Sequence, residues 1–475
     1  MLFNSIDFAI FLPLVFIIYW FVVNKDLALQ NLMILIASYV FYGWWDWRFL
    51  SLIFISSITD YSIGLGLNKS KSINKRKLLL SISLTINLGL LGFFKYFNFF
   101  IDSFIDFSST FGFSFDSRSL NIILPVGISF YTFQTLSYTI DVYRDKIEPT
   151  KDIIAFFAFV SFFPQLVAGP IERAANLLPQ FKEKRFFEYD KAADGLRQIL
   201  WGLFKKVVIA DSCAKNVDFI FANYNTLSGS ILFLGTIYFA FQIYGDFSGY
   251  SDIAIGTAKL FGFDLMRNFA YPYFSRDIAE FWRRWHISLS TWFRDYVYIP
   301  LGGSYVNKLK HIRNIIITFT VSGFWHGANW TFITWGFING LYYIPIMLLN
   351  KQKIHTGIVA QHNFFPSIKE TCQILTTFFF TLIAWVFFRA ETIQHAFSYL
   401  THMFSTSLFV FPEDQKRHIT LIIILLIIEW FHRKKEHAFQ IDNYATFIRW
   451  PLYCILVLVI LNYFGEEKTF IYFQF

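Results

Sequence analysis

One histidine stands in a long apolar stretch, where it could place an acid–base group inside a membrane. His326 lies within residues 315–349, 35 positions without Asp, Glu, Lys or Arg. On a helix rising ~1.5 Å per residue, it lies roughly 17 Å beyond Ile315, near the middle of a hydrocarbon layer about 30 Å thick. An ionisable side chain at that depth is costly and points to function. We therefore predict that this imidazole transfers protons within the membrane.

The residues around this histidine allow a second interpretation. Gly323 and Gly327 form a Gly-xxx-Gly pattern, which on its own indicates close helix packing. His326 would then be a hydrogen-bonded strut rather than a reactive group. Trp325 and Asn329 stand close to His326 in this stretch of small and polar residues.

A second group of reactive residues lies at 279–296, a segment too charged for contact with lipid and too aromatic for a solvated loop. Arg283, Arg284 and Arg294 could receive phosphates, because a guanidinium offers several donors in one plane. His286 could join His326 in one site. The alternative is an amphipathic helix at the membrane interface, anchored by Trp and Arg.

A third group, Asp246, Ser248 and Asp252, interrupts an otherwise apolar segment at 230–262 that also holds two glycines nearby. This pattern predicts a broken helix that lines a polar cavity. Transporters build ion sites in the same way, so the motif does not separate transport from catalysis. The carboxylates could instead pair with one of three cations: Arg283, Arg284 or Lys259.

The rest of the chain must hold these groups in a bilayer. Of its 475 residues 55% are hydrophobic and 16% are charged, against about 25% charged in soluble domains. We predict an all-α polytopic protein of about ten to twelve spans with re-entrant and interfacial helices, forming one membrane domain over 1–475. The net charge of +8 fits loops facing anionic lipid rather than nucleic acid. The three cysteines lack metal-ligand spacing, and no metal site is predicted.

Basic loops predict the orientation. Clusters at 69–77 and 433–435 should be cytoplasmic, which places both termini outside the cell. A further cluster, at 182–185 and 205–206, should also be inside, and this requires a re-entrant segment between 120 and 180. Walker, GxGxxG, GxSxG and HExxH motifs are absent from the sequence, which argues against ATP-driven, nicotinamide-dependent, esterase and zinc-protease chemistry.

Taken together, these segments resemble the membrane-bound O-acyltransferase family, in its bacterial branch acting in alginate and cell-wall O-acetylation. The resemblance covers nearly the whole chain, at residues 31–44, 124–134, 162–171, 246–252, 281–301, 322–330 and 470–475. It implies a ring of tilted helices around a central pore or funnel. The residues predicted to line this funnel are Asp246, Ser248, Asp252, Trp325 and Asn329. It makes His326 the essential histidine, and it places His286 at a more variable polar position.

The resemblance implies an enzyme of the bacterial cytoplasmic (inner) membrane that uses cytoplasmic acetyl-CoA as its acyl donor and holds no permanent cofactor. The acetyl group would pass across the membrane to an extracytoplasmic polysaccharide, alginate-like or peptidoglycan, through a partner transferase outside the cell. A neutral His326 would act as general base, while His286 would orient it or stabilise the oxyanion. The predicted donor-binding residues are cationic: Arg283, Arg284, Arg294, Lys205 and Lys206. The alternatives are a transporter or flippase and a scaffold subunit of a polysaccharide export complex.

The last residues, 465–475, form an aromatic tail that the orientation above places outside the cell. Tyr472 lies among phenylalanines in this tail. Its phenol could accept the acetyl group as a covalent relay, or the tail could help to dock a partner. An ordinary aromatic anchor at the interface is the alternative.

Overall fold

The structure, a computed structural model, describes residues 1–113, 115, 120–167, 169–412 and 416–465. Over these residues the regular elements are all helical, which confirms the predicted all-α class. The chain divides into two compact units, one formed by 1–192 with 258–265 and the other by 193–257 with 266–475. A single membrane domain with a central funnel stays a prediction.

Nine α-helices lie entirely within the described residues of the first unit. They are α1 (Ile6–Ile17), α2 (Leu27–Asp46), α3 (Leu50–Lys69), α4 (Ile73–Leu91), α5 (Phe97–Ser109), α6 (Ile128–Tyr143), α7 (Ile153–Ser161), α8 (Phe163–Leu166) and α9 (Ala174–Leu177). In this unit α3 packs on α4 and α6, and α2 packs on α7. With nine residues, α7 is about 14 Å long. A helix of this length is too short to cross a bilayer. The re-entrant segment predicted within 120–180 would need a helix that is short in this way.

Two helices, α10 (Tyr189–Leu203) and α12 (Gly229–Leu260), have residues in both units. The second unit adds α11 (Asp211–Ala222), α13 (Ile278–Arg284), α14 (Ile287–Phe293), α15 (Lys308–His326), α16 (Trp330–Leu348), α17 (Ile368–Arg389), α18 (Ile393–Met403), α19 (Lys416–Phe431) and α20 (Thr446–Tyr463). A π-helical turn, Phe204–Ala210, joins α10 to α11. The α15–α16 hairpin is the most extensive packing in this unit.

Six helical stretches in the described chain are long and apolar enough to cross a membrane. They are Leu27–Lys69, Ile73–Ser109, Gly229–Leu260, Trp330–Leu348, Ile368–Arg389 and Thr446–Tyr463. These stretches support a multi-pass membrane protein. The first stretch has 43 residues, about 65 Å of helix, and therefore has the length of two crossings.

Side chains fix the starts of the helices that lead to the reactive residues. The carboxylate of Asp277 accepts the Glu280 amide at 2.7 Å and caps α13. Asn307 caps α15 and Asn329 caps α16 in the same way. Each cap satisfies backbone donors that a helix start would otherwise leave without partners.

Candidate functional site

The α15–α16 hairpin places His326 at a helix end. His326 is the last residue of α15, and α16 begins four residues later at Trp330. The two helices approach closely, since a Cβ added to Gly323 would lie 2.2 Å from the Phe332 carbonyl oxygen. One added to Gly327 would lie 2.2 Å from the ring of Phe332. The Gly-xxx-Gly pattern therefore does serve close packing, and that packing holds the turn after the histidine.

Aromatic rings enclose His326, which is only 3% exposed. Ring centroids lie 5.0 Å away for Trp325, 5.1 Å for Trp335 and 5.4 Å for Phe388, all in edge-to-face arrangements. Such rings exclude water and hold the imidazole in one orientation. Trp325 is itself buried, and Asn329 donates to the carbonyl of Glu391 at 3.0 Å.

His286 lies between the short helices α13 and α14 in a backbone conformation that side chains rarely adopt. Its φ of 43° and ψ of 56° are left-handed, a strained geometry that often marks functional positions. The predicted alternative of a single amphipathic helix over 279–296 is therefore wrong, because the chain turns at Trp285 and His286. The side chain is 1% exposed. The ring of Phe247 lies against it at 4.5 Å.

Asn268 determines the tautomer of His286. The backbone amide of Ser288 can only donate and lies 3.2 Å from Asn268 Oδ1, so that atom must be the side-chain carbonyl oxygen. Nδ1 of His286 lies 3.1 Å from the same oxygen and must carry a hydrogen. Ser251 receives the Asn268 amide at 3.1 Å. A neutral His286 therefore has its lone pair on Nε2.

Burial favours that neutral form. His286 lies outside the six candidate spans, and burial lowers its pKa well below the usual value. Desolvation has this effect because it penalises the charged imidazolium. At neutral pH the ring can accept a hydrogen bond or a proton at Nε2.

The two buried imidazoles lie together. The ring centroids of His286 and His326 are 6.5 Å apart. This separation is short enough for one oxygen atom to hydrogen-bond with a nitrogen of each ring. The arrangement can position a hydroxyl group and remove its proton.

The model of the membrane-bound O-acyltransferase family matches residues 40–390, which include both histidines. The chain belongs to the membrane-bound O-acyltransferase family. It is therefore an O-acyltransferase, and the transporter and scaffold alternatives are set aside.

Several curated proteins are similar to this acyltransferase, two of them over most of its length. It is 40% identical to the probable alginate O-acetylase AlgI of Pseudomonas aeruginosa, over 85% of this chain and 76% of that protein. It is 33% identical to the peptidoglycan O-acetyltransferase of Helicobacter pylori, over 100% of this chain and 98% of the relative. It is 32% identical to a teichoic acid D-alanyltransferase of Streptococcus thermophilus over 46% of this chain and 55% of that protein.

The aspartates of the acyltransferase have different partners from those predicted. Lys205 lies 2.6 Å from Asp252 and Lys206 lies 2.7 Å from Asp246. Both lysines are buried in the π-helical turn rather than placed in a cytoplasmic loop. Ser248 accepts a hydrogen bond from Lys205 at 2.8 Å. Pairing with Arg283, Arg284 or Lys259 was the wrong expectation, and any role of these lysines in donor binding stays a prediction.

The prediction of a broken helix at these aspartates is also wrong, because α12 is continuous from Gly229 to Leu260. The two glycines instead allow α12 to pack closely against the neighbouring backbone. A Cβ on Gly249 would lie 2.7 Å from the Gly202 carbonyl oxygen, and one on Gly245 would lie 2.9 Å from that of Lys205. The absence of side chains lets α12 approach the lysine-bearing turn closely enough for the ion pairs.

Arg283 and Arg284 donate hydrogen bonds to a loop within the second unit. Arg283 donates to the carbonyl oxygens of Gln352 and His355, each at 2.7 Å. Arg284 donates to the Gly357 carbonyl at 3.0 Å. These bonds fix the segment between α16 and α17.

Glu280 is the buried anion of this arginine cluster. It pairs with Arg284 at 2.8 Å and with Arg276 at 3.0 Å. Burial alone would raise the pKa of Glu280, but these two arginines hold that pKa below its usual value. Arg294, by contrast, is exposed and bonds Asp295 at 2.7 Å.

Sequence reasoning missed Asn268, Ser288, Glu280 and Glu429. Glu429 ends the apolar run of α19 and accepts the Tyr244 hydroxyl at 2.6 Å, so an isolated acid in that run was a usable signal. Asn268 lies in a segment without periodic pattern, and nothing local marks it. Tyr472 and the tail at 466–475 lie outside the described residues.

Proposed function

We propose that this protein moves acetyl from cytoplasmic acetyl-CoA across the bacterial inner membrane toward an extracytoplasmic polysaccharide. The observation that carries the proposal is the pair of buried imidazoles 6.5 Å apart within the family-matched residues. The acceptor classes follow from the relatives, of which one is named as an alginate O-acetylase and another as a peptidoglycan O-acetyltransferase.

In this proposal His326 is the general base. It removes the proton from an incoming hydroxyl as the oxygen attacks the thioester carbonyl, and a tetrahedral intermediate forms. The carbon–sulfur bond then breaks, and the thiolate of coenzyme A takes the proton back from the imidazolium. The surrounding rings of Trp325, Trp335 and Phe388 support this role because they keep bulk water from hydrolysing the thioester.

The geometry favours one of the two roles considered for His286. A neutral ring with hydrogen on Nδ1 accepts at Nε2 but cannot donate from it, so it cannot stabilise an oxyanion there. The attacking hydroxyl has one hydrogen, and His326 takes it as the base, so Nε2 of His286 cannot accept it as well. We therefore assign His286 the other role considered above, which is to orient His326 through the packing of the two rings 6.5 Å apart.

The compartments explain why this chemistry belongs in a membrane protein. The charged nucleotide of acetyl-CoA cannot cross lipid, whereas the acceptor is outside the cell. A path that admits only the pantetheine arm lets the acyl group cross alone. With both termini outside, as the basic loops predict, the tail that carries Tyr472 would meet a partner transferase there.

The proposal is tested with purified protein in detergent or nanodiscs, supplied with acetyl-CoA and its acceptor. His326→Gln should lower kcat by about 10²–10⁴-fold, the usual contribution of a general base. His437→Gln is the matched control, because His437 is equally buried at 2% and its replacement can still donate to Asp194. Thioester turnover that persists in folded His326→Gln would refute the assignment.

A further inference from the structure

A pocket of about 370 Å³ lies in the first unit where the first apolar helical stretch ends. That stretch runs from Ile6 to Val22, and polar residues follow at once. The pocket wall combines aromatic rings with cations: Phe16, Trp20, Phe187, Lys25, Lys184 and Arg185. A change from apolar helix to polar chain is expected at the level of lipid headgroups.

Arg185 brings a buried charge to this pocket without an anion of the described chain to balance it. The residue is 7% exposed. Its guanidinium donates to Asn31 Oδ1 at 2.7 Å and to the Gln180 carbonyl at 3.0 Å, both neutral acceptors. Its Nε makes no hydrogen bond in the described part of the protein. A buried charge of this kind is costly unless an anion lies nearby.

Two exposed lysines add further positive charge to the same pocket. Lys25 and Lys184 form no ion pair with the described residues. The acids nearest in sequence are Asp26, Glu183 and Glu188, and none of them lines the pocket. Asp26 turns its carboxylate into the start of α2, where it accepts the Ala28 amide at 2.7 Å. The pocket therefore presents two accessible ammonium groups together with a buried guanidinium and attracts an anion.

The surface beside the cations is apolar and uncovered. Phe21 is 75% exposed and Val22 is 67% exposed on the helix end. Phe186 and Phe187 are exposed on the adjoining segment. A small anion would leave these rings in contact with water, whereas a lipid covers them with its acyl chains.

We propose that this pocket binds an anionic phospholipid. The phosphate lies between the ammonium groups of Lys25 and Lys184, the Arg185 charge supports it from below, and the acyl chains lie along Phe21 and Phe187. The site is independent of the acetyl-transfer proposal, since it uses none of the residues assigned there.

Binding is measured on the purified full chain in detergent by native mass spectrometry and thermal unfolding. The probes are phosphatidylglycerol, phosphatidylcholine with the same acyl chains, and inorganic phosphate. The test variant is Lys25→Ala with Lys184→Ala. The control is Lys71→Ala with Lys75→Ala, which removes the same charge from two exposed lysines far from the pocket in sequence.

Phosphatidylglycerol should bind the wild type and the control with the same affinity. It should bind the test variant with an affinity that is lower by about tenfold or more. Phe21→Ala should also weaken phosphatidylglycerol, because it removes apolar contact and leaves the cations intact. Equal phosphatidylglycerol affinity in the test and control variants would overturn the site. Stabilisation by inorganic phosphate as large as that by the lipid would show a free-anion site and overturn the lipid assignment.

Discussion

The side-chain oxygen of Asn268 lies 3.1 Å from Nδ1 of His286 and decides which nitrogen of that imidazole carries the lone pair. The oxygen is itself held, since it also accepts the amide of Ser288 at 3.2 Å. A partner that fixes tautomer and ring orientation is a common support for a reactive histidine. Asn268 is thus the positioning residue of the imidazole pair.

Replacing Asn268 tests this relationship through pH dependence. Asn268→Ala removes the acceptor, and we expect kcat to fall about tenfold or more as the tautomers mix. Asn268→Asp keeps an acceptor but adds a negative charge, which favours imidazolium and raises the pKa of His286. The neutral ring is then lost at a higher pH, so the acid limb of the kcat profile should move upward.

The comparison of these two variants separates positioning from simple packing. If Asn268→Asp showed a wild-type pH profile at normal protein stability, the hydrogen bond to His286 would have no part in the reaction. If Asn268→Ala loses activity only because the protein is less stable, unfolding measured on the same preparation will show that loss of stability.

The Lys205–Asp252 pair should contribute to stability. Lys205→Met leaves the Asp252 carboxylate with the Gln198 amide at 2.9 Å but without its cation. Removing one partner of a buried pair costs about 3 kcal/mol. The double variant Lys205→Met with Asp252→Asn should recover part of that loss. Thermal or denaturant unfolding of Lys205→Met, Asp252→Asn and the double variant measures the coupling.

The same variants decide whether Lys205 also binds the donor. If the pair is purely structural, the folded fraction of Lys205→Met should have the same KM for acetyl-CoA as the wild type. A raised KM with unchanged unfolding would contradict the structural role and favour the donor-binding prediction.

Glu280 should make stability depend on pH in a defined direction. Its arginine partners keep its pKa below the usual 4.5 in the folded protein. Its contribution is therefore present above the unfolded pKa and is lost as pH falls through the lower folded value. Glu280→Gln should be less stable than wild type near pH 7, and the difference should shrink on acidification below about pH 4. A gap that stays constant from pH 7 to pH 3 would rule out this linkage.

The sequence predicts the helical class from its apolar stretches. It also identifies both histidines as candidate site residues, because each is an ionisable residue in an apolar or aromatic setting. It does not predict that His326 and His286 are 6.5 Å apart, which depends on tertiary packing. The partners of Asp246 and Asp252 were misassigned for the same reason. Lysines in an amphipathic segment are expected at the surface, and the close contacts at Gly245 and Gly249 bring these two beside α12.

The aromatic tail offers a test of how the acyl group leaves. If Tyr472 is a covalent relay, Tyr472→Phe should abolish transfer to the polysaccharide, because the hydroxyl that carries the acetyl group is gone. If the tail docks a partner, Tyr472→Phe should remain active while truncation after residue 465 stops transfer. Mass spectrometry of the tail after incubation with acetyl-CoA checks for an acetylated tyrosine directly.

The glycine contact beneath His326 gives a final expectation that links packing to catalysis. A Cβ at Gly323 would meet the Phe332 carbonyl at 2.2 Å and the Gly336 Cα at 3.0 Å, and neither backbone atom can turn aside. Gly323→Ala should therefore push α15 from α16, cost about 1–3 kcal/mol and lower kcat by displacing the imidazole one turn away. Gly89→Ala is the control, because its Cβ would meet nothing within 4 Å, and alanine is favoured over glycine within a helix. We expect Gly89→Ala to keep full activity with equal or greater stability, whereas equal behaviour of the two variants would mean that the hairpin does not hold His326 in place.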